Sequence, residues 1–439
     1  MVGSLQGSLT VSVLTLKQDL QHIVRAGVDA VSADRVIARA LRNPAIAEVL
    51  TGRPLHIVAV GKAAAAMAAA FALPHLAIRS GIVIGTHRHQ ELPAHLEWIE
   101  SSHPFPDGRS ELAGRKALAI AHGVHSGEVL VILLSGGASA LMAAPIDGLT
   151  LQDKIDTTRK MMAAGADIHA LNTVRRHLSN VKGGRLAAAC VGTTITLAIS
   201  DVVGDDLHAI GSGPGVPDRS TWADAAAALK RFGGDAHAST VRALVERGVE
   251  GVVPDTPKPG DASMARAHAR VIGSRNDAME GARLAAIERG YHAVVMPDPV
   301  TGEARVAGPE WLSRARERLA NVRRPSCVIS SGETTVTVTG SGVGGRNLEF
   351  ALSIAEAIRQ WPSAAMASAG TDGIDGSAGV AGGMVDSTTM DRAARAGLEP
   401  PGNFLAANNS LAFFSPLDDA IRLGRTDTNV GDLQVLLID

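Results

Sequence analysis

One stretch, Ser330 to Gln360, constrains the fold more than any other. It reads S-S-G-E-T-T-V-T-V-T-G-S-G-V-G-G-R-N-L-E-F-A-L-S-I-A-E-A-I-R-Q. Alternating Thr and Val from Thr334 to Thr339 predict a strand, because branched side chains pack well on a pleated surface. Gly340, Gly342, Gly344 and Gly345 then strip Cβ atoms from the turn, so another molecule can come close to the backbone. Beyond Arg346 and Asn347, the residues Leu348, Ala351, Leu352, Ala355 and Ile358 recur at helical spacing. Strand, glycine turn and helix start, in that order, predict an anion site, since the first helical N–H groups have no partner within the helix. Arg346 at its mouth carries a planar fork suited to phosphate or carboxylate.

The same order recurs along the chain. Leu55–Val60 reads as a strand that runs into Gly61-Lys62 and an alanine-rich helix ending near Leu73. The spacing of a Walker motif is missing, but a lysine there can hold phosphate as a point charge. The apolar run Val129–Leu134 opens onto Ser135-Gly136-Gly137-Ala138-Ser139, and Thr194–Ile199 onto S-D-V-V-G-D-D, with Asp201 and Asp206. Ala364–Ala369 leads to Gly370-Thr371-Asp372-Gly373-Ile374-Asp375-Gly376. Carboxylates just past a strand suit Mg²⁺ beside a ligand's phosphates, and they equally suit ordinary turns. From Leu171 to Ala187 a polar helix places Asn172, Arg175 and Ser179 on one face, with Lys182 before a Gly-Gly break. Leu16 to Leu41 is mostly helical, with a stripe of Leu20, Ile23, Val24, Val28 and Val31 that Gly27 interrupts. Strands alternating with helices throughout predict α/β layers.

Composition excludes several classes. A chain of 439 residues predicts about two or three domains. Its net charge of −2 gives no basic field for nucleic acid, and 3% aromatics give no stacking platform for bases. No run of about 18 apolar residues predicts a membrane span. Residues Met1 to Leu16 read as a loose leader rather than a signal peptide. The two cysteines, Cys190 and Cys327, predict neither a disulfide framework nor a cysteine metal site and fit a reducing cytoplasm. His87 and His89 read as solvated loop residues rather than metal ligands. Pro254, Pro257, Pro259 and Gly260 predict a linker, which separates residues 1–255 from 256–439.

Taken together, the motifs resemble one family over nearly the whole chain. G-K-A-A, S-G-G-A-S-A-L, N-x-V-R-R-H-L-S-N-V-K-G-G-R-L-A and S-D-V-V-G-D-D look like the N-terminal domain of class II glycerate 2-kinases. G-S-G-P, S-G-E-T-T-V, G-x-G-G-R-N, G-T-D-G-I-D-G and T-N-V-G-D look like the remainder and its MOFRL domain, here about 325–439. Asn409 stands where the family usually has Asp, and Gly424–Asp427 reads G-R-T-D rather than G-P-T-G.

The resemblance implies a Rossmann-like doubly wound N-terminal domain and a C-terminal α/β domain, with the active site in a cleft between them. It implies phosphorylation of D-glycerate at the 2-hydroxyl by ATP with Mg²⁺, in a cytoplasmic enzyme for which a homodimer is one expectation. Lys62 and Arg346 would be catalytic. Ser135, Gly136, Gly137, Ser139, Gly213, Glu333, Gly342, Gly344, Gly345 and Asn347 would bind the nucleotide. Asn172, Arg175, Arg176 and Lys182 would grip the substrate, and Asp201, Asp206, Asp372 and Asp375 are candidates for the metal or for taking the hydroxyl proton. The alternative is an NAD(P)H-dependent hydroxypyruvate reductase, since members of this family also carry that label. Its support is that G-S-G-V-G-G matches most of G-x-G-x-x-G; against it, the acidic residue due about 20 positions later is absent.

Overall fold

The computed structural model describes residues 13–88 and 91–439. The expectations for His89 and for most of the leader fall outside the described residues. The chain divides into two compact units, Ala33–Gly273 and the described residues up to Ser32 with Ser274–Asp439.

In the first unit, six strands form one sheet: β1 (Leu55–Val60), β2 (Ile78–Gly85), β3 (Leu96–Glu100), β4 (Val129–Leu134), β5 (Thr193–Ile199) and β6 (Ala267–Gly273). Their order is β3-β2-β1-β4-β5-β6, and every pairing is parallel. This is the strand order of a doubly wound sheet, whose direction of winding reverses between β1 and β4. β4 is buried along its whole length, as the continuous apolar run V-L-V-I-L-L requires of a strand covered on both faces. The Ala-rich helix Ala64–Phe71, with Ala113, Ala117 and Ala121 on the helix Gly108–Gly123, lets helices lie close to the sheet.

The second unit is a mixed sheet: β7 (His292–Val295), β8 (Val300–Glu303), β9 (Ser326–Thr335), β10 (Ala364–Gly370), β11 (Gly382–Asp386), β12 (Ala420–Ile421) and β13 (Asp432–Ile438). The order is β12-β11-β10-β13-β9-β7, with β8 pairing to β9. β7 and β8 run parallel to β9, while the pairs from β9 through β13, β10 and β11 to β12 are antiparallel. Period-two alternation divides the side chains between two cores. Leu433, Val435 and Leu437 of β13 meet the helices Val13–Ala30 and Arg275–Glu288, whereas Leu436 and Ile438 face a core with Trp311, Leu348 and Phe350.

Two sequence expectations change here. The boundary at 255/256 does not hold, because β6 completes the parallel sheet beside β5 and the proline-rich segment lies within that unit. The stripe of the helix Val13–Ala30 belongs instead with the C-terminal sheet, where Leu16, Leu20, Ile23 and Val24 are buried. Gly27 does not break this helix. A Cβ there would lie 2.7 Å from Leu433 Cδ2 and 2.9 Å from the Ala278 carbonyl, and one on Gly281 would lie 2.4 Å from Ala30 Cβ. Glycine at both positions lets two helices touch through their backbones. Among the described residues no helix is long and apolar enough to cross a membrane, and both cysteines are free and buried.

Candidate active site

Lys62 and the loop Ser135–Ser139 follow β1 and β4, the two strands between which the parallel sheet changes its winding, where doubly wound folds take their ligands. The two loops are tied together. The Lys62 amide donates to the Gly136 carbonyl at 2.9 Å, and the Ala63 amide to Ser135 Oγ at 3.1 Å. Gly61 has φ +131°, and a Cβ on it would stand 2.1 Å from Ser135 Oγ, so only glycine lets these loops meet. Ser135 is thereby a buried brace, while the exposed Lys62 leaves its side chain beside Gly137 and His103. Burial and the charge of Lys62 hold the His103 imidazole below its usual range, hence neutral at pH 7.

Next to Gly137 and Ser139 lies a cavity of about 260 Å³. Three basic side chains, Lys154, Arg175 and Lys182, line it together with His103, and no carboxylate is among its described lining residues. Lys182 is 2% exposed and donates to the carbonyls of Met142 (3.2 Å) and Gly211 (3.4 Å). Burial, then the charges of Lys154 and Arg175, push its amine well below the usual lysine range. Ser139 Oγ lies 2.9 Å from Ser212 Oγ, which donates to Asn172 Oδ1 at 3.0 Å.

Asn172 and Arg176 border a second cavity with Asp206 and His208. The sequence grouping of Asn172, Arg175 and Ser179 therefore does not hold. On the helix Ile168–His177, Asn172 and Arg176 line one cavity and Arg175 the other. Ser179 lies past the helix end and donates to the Ala144 carbonyl at 3.2 Å. The Arg176 Nε lies 3.3 Å from buried Asp218, so part of its charge is used internally. Gly213, in the left-handed region at φ +65°, closes the turn after Ser212 and accepts from the Gly184 amide at 2.8 Å. Asp201 follows β5, and Asp206 Oδ1 accepts from the His208 amide at 2.9 Å.

In the other unit the glycine stretch behaves differently from its sequence reading. β9 ends at Thr335 rather than Thr339, and the Thr337 amide bonds the Glu303 carboxylate at 3.1 Å. The missing Cβ atoms make room for the chain itself. A Cβ on Gly342 would meet Asn409 at 2.4 Å, on Gly344 Ser410 Oγ at 2.4 Å, and on Gly345 Asp375 Cγ at 2.3 Å. Nor does the start of the helix Arg346–Ile354 stand open. Asp375 accepts from the amides of Asn347 (3.0 Å) and Leu348 (2.8 Å). A carboxylate at a helix N-terminus satisfies both the orphan donors and the dipole. Asn409, in place of the family's Asp, accepts from the Val343 amide at 3.1 Å, so the acceptor is kept.

Behind this turn lies a buried polar network. The amide of Asn347, 1% exposed, donates to Asp375 (3.3 Å) and Asp432 (3.0 Å), and its oxygen accepts from Ser368 Oγ at 2.6 Å. Its polar atoms are thus spent inside the protein. Burial pushes the Asp375 carboxyl up to about 7 against the pull of the two backbone amides, and the Asp432 charge adds to the rise. Arg346 donates to Asp432 and, through Nη1, to Glu333 at 2.8 Å. Burial opposes the guanidinium charge, but Asp432 and Glu333 outweigh it and keep it firmly protonated. Asp372 Oδ1 accepts from the Ile374 amide at 3.1 Å. Among the described residues, no three His, Cys, Asp or Glu side chains assemble into a metal-sized cluster.

Sequence reasoning passed over Lys154 and the cavity role of His103. A signal for the first was present: Lys154, Thr157 and Met161 fall at i, i+3 and i+7 on the buried face of the helix Leu151–Ala163.

A doubly wound α/β unit with a cavity lined by basic side chains near its switch point, in one chain with a mixed α/β unit, defines the class. Residues 19–246 match a domain of unknown function (DUF4147), and residues 326–432 match the MOFRL family. The D-glycerate 2-kinase of Thermotoga maritima is 35% identical over 430 residues, 97% of this chain and 99% of that protein. A protein of Agrobacterium vitis with the provisional name hydroxypyruvate reductase is 38% identical over 433 residues, 97% of this chain and 95% of its own. The crystal structure of glycerate kinase from Thermotoga maritima superposes with a TM-score of 0.87 at 33% identity, covering 97% of this chain and all of that one. This chain belongs to the glycerate 2-kinase family with a MOFRL domain.

Proposed function

We propose that this protein phosphorylates D-glycerate at its 2-hydroxyl with ATP, giving 2-phosphoglycerate and ADP. The observation that carries the reading is the cavity of about 260 Å³ lined by Lys154, Arg175 and Lys182 without a carboxylate. Such a site selects a small anion. Phosphoryl transfer asks a protein mainly for positioning and for positive charge around the moving group. Arg175 and Lys182 grip the glycerate carboxylate, and Ser139 and neutral His103 are placed to hydrogen-bond its hydroxyls. Lys62, at the end of β1 beside this cavity, supplies charge to a phosphate. Arg346 is a second phosphate-directed cation, its fork oriented by Asp432 and Glu333.

Mg²⁺ is expected with the nucleotide. It is commonly held by one or two carboxylates plus substrate phosphates, and Asp201, Asp206 and Asp372 have the donor chemistry for that. When bound it would neutralise charge on the phosphates. Asp375 is committed to the helix start it caps and fits this role poorly.

A reductase would need the Gly340–Gly345 turn to receive a pyrophosphate. That turn instead packs against Asn409 and Ser410, and Asp375 covers the helix start. The test is ADP release with D-glycerate and ATP, set beside NADH oxidation with hydroxypyruvate, on the pure protein. Magnesium-dependent ADP release without NADH oxidation is expected; the reverse pattern overturns the reading.

A further inference from the structure

The helix Leu151–Ala163 buries a lysine where its stripe calls for an apolar residue. Lys154 is 7% exposed, its Nζ has no hydrogen-bond partner, and it lines the 260 Å³ cavity. Lys182, equally buried, has two carbonyl acceptors; Lys154 has none. Of the charged groups that act on it, Arg175 comes from the helix Ile168–His177, Lys182 from the turn before Arg185, and Glu111 from the helix Gly108–Gly123. His103 faces the same cavity from the preceding loop and is held neutral. Only Glu111 favours the ammonium form. An amine buried without a partner is costly, and a fold carries that cost where a ligand supplies the missing acceptor.

We propose that Lys154 is a specificity-determining residue of this cavity, whose amine pairs with the glycerate carboxylate and takes a proton from solvent as that anion enters. The identity of the anion rests on the kinase reading. Burial, with Arg175 adding and Glu111 opposing, lowers the amine to about 7. Below that pH the amine is already charged and ready to bind. Above it, binding must also draw a proton, so apparent affinity for glycerate falls as pH rises past about 7.

The experiment compares wild type, Lys154→Met and Lys154→Arg. It measures KM for D-glycerate and for ATP from pH 6 to 9, and calorimetric titration of D-glycerate in two buffers of different ionisation enthalpy. Wild type is expected to take up protons at pH 8 and fewer at pH 6. Lys154→Met should raise the glycerate KM about tenfold or more at pH 7, as loss of a charge-assisted hydrogen bond does. Its ATP KM should stay within about twofold, and its proton uptake should fall below that of wild type, leaving only what Lys182 contributes. Lys154→Arg should keep the glycerate KM within about threefold and show a weaker pH dependence, since arginine stays charged. A normal glycerate KM in Lys154→Met, or a raised ATP KM in its place, overturns the inference while wild-type turnover leaves the kinase reading standing. A wild type that neither binds nor phosphorylates D-glycerate overturns both.

Discussion

Arg346 and Asp432 form a pair in which only one partner reaches water: the arginine side chain is 31% exposed and the aspartate 0%. Arg346 Nε lies 2.8 Å from Asp432 Oδ2, and Oδ1 accepts from Nε, Nη2 and the Asn347 amide. The arginine is therefore both a candidate phosphate ligand and the counter-charge of a buried carboxylate. Removing it strands that carboxylate. Arg346→Ala should lower kcat about a hundredfold or more and also cost about 2–4 kcal/mol of stability. Adding Asp432→Asn should restore part of the stability and none of the rate. Urea unfolding beside steady-state kinetics separates the two effects; recovery of kcat in the double variant would place Arg346 outside the chemistry.

Lys62 gives the contrasting case. It is exposed, and its backbone amide ties the β1 and β4 loops together. Lys62→Ala should lower kcat about a hundredfold with a melting temperature within about 2 °C of wild type. A near-normal kcat would remove it from the mechanism.

Asp375 predicts a stability effect. Asp375→Ala leaves the backbone amides of Asn347 and Leu348 without their acceptor, while the Asn347 side chain keeps only its bond to Asp432. Calorimetry should show a loss of about 2–4 kcal/mol, since each buried orphan donor costs about 1–3. A loss under about 0.5 kcal/mol would mean that water replaces the cap.

Lys154 predicts the opposite sign. Its amine sits near 7 in the folded protein and 10.5 in a free lysine. Between those values the unfolded chain holds more protons, so the destabilisation is full below pH 7 and fades as pH rises towards 10.5. Lys154→Met should therefore stabilise the ligand-free protein by about 1–4 kcal/mol at pH 6.5, and by less at pH 9.5. Melting temperatures at the two pH values check it, and a destabilised methionine variant at pH 6.5 would show that the amine has a partner.

Local pattern in the sequence was enough for most strands and helices, though not for the end of β9. The run Val129–Leu134 suits a buried strand, and Leu20, Ile23, Val24, Val28 and Val31 form a helical stripe, because periodicity is a property of neighbours along the chain. The family motifs likewise lie in contiguous segments. Pairing across long distances was decided only by the tertiary structure. β6 joined the first sheet by pairing with β5, and the N-terminal helix joined the second by burying its apolar face against β13, both across long stretches of chain. The Gly340–Gly345 turn reads as an open cradle until Asp375, Asn409 and Ser410 are seen to occupy it. Lys154 falls on a helical stripe with Thr157 and Met161, but that Arg175 and Lys182 face the same cavity shows only in the structure. In both cases the deciding quantity is which groups share a buried space, and local sequence does not encode that.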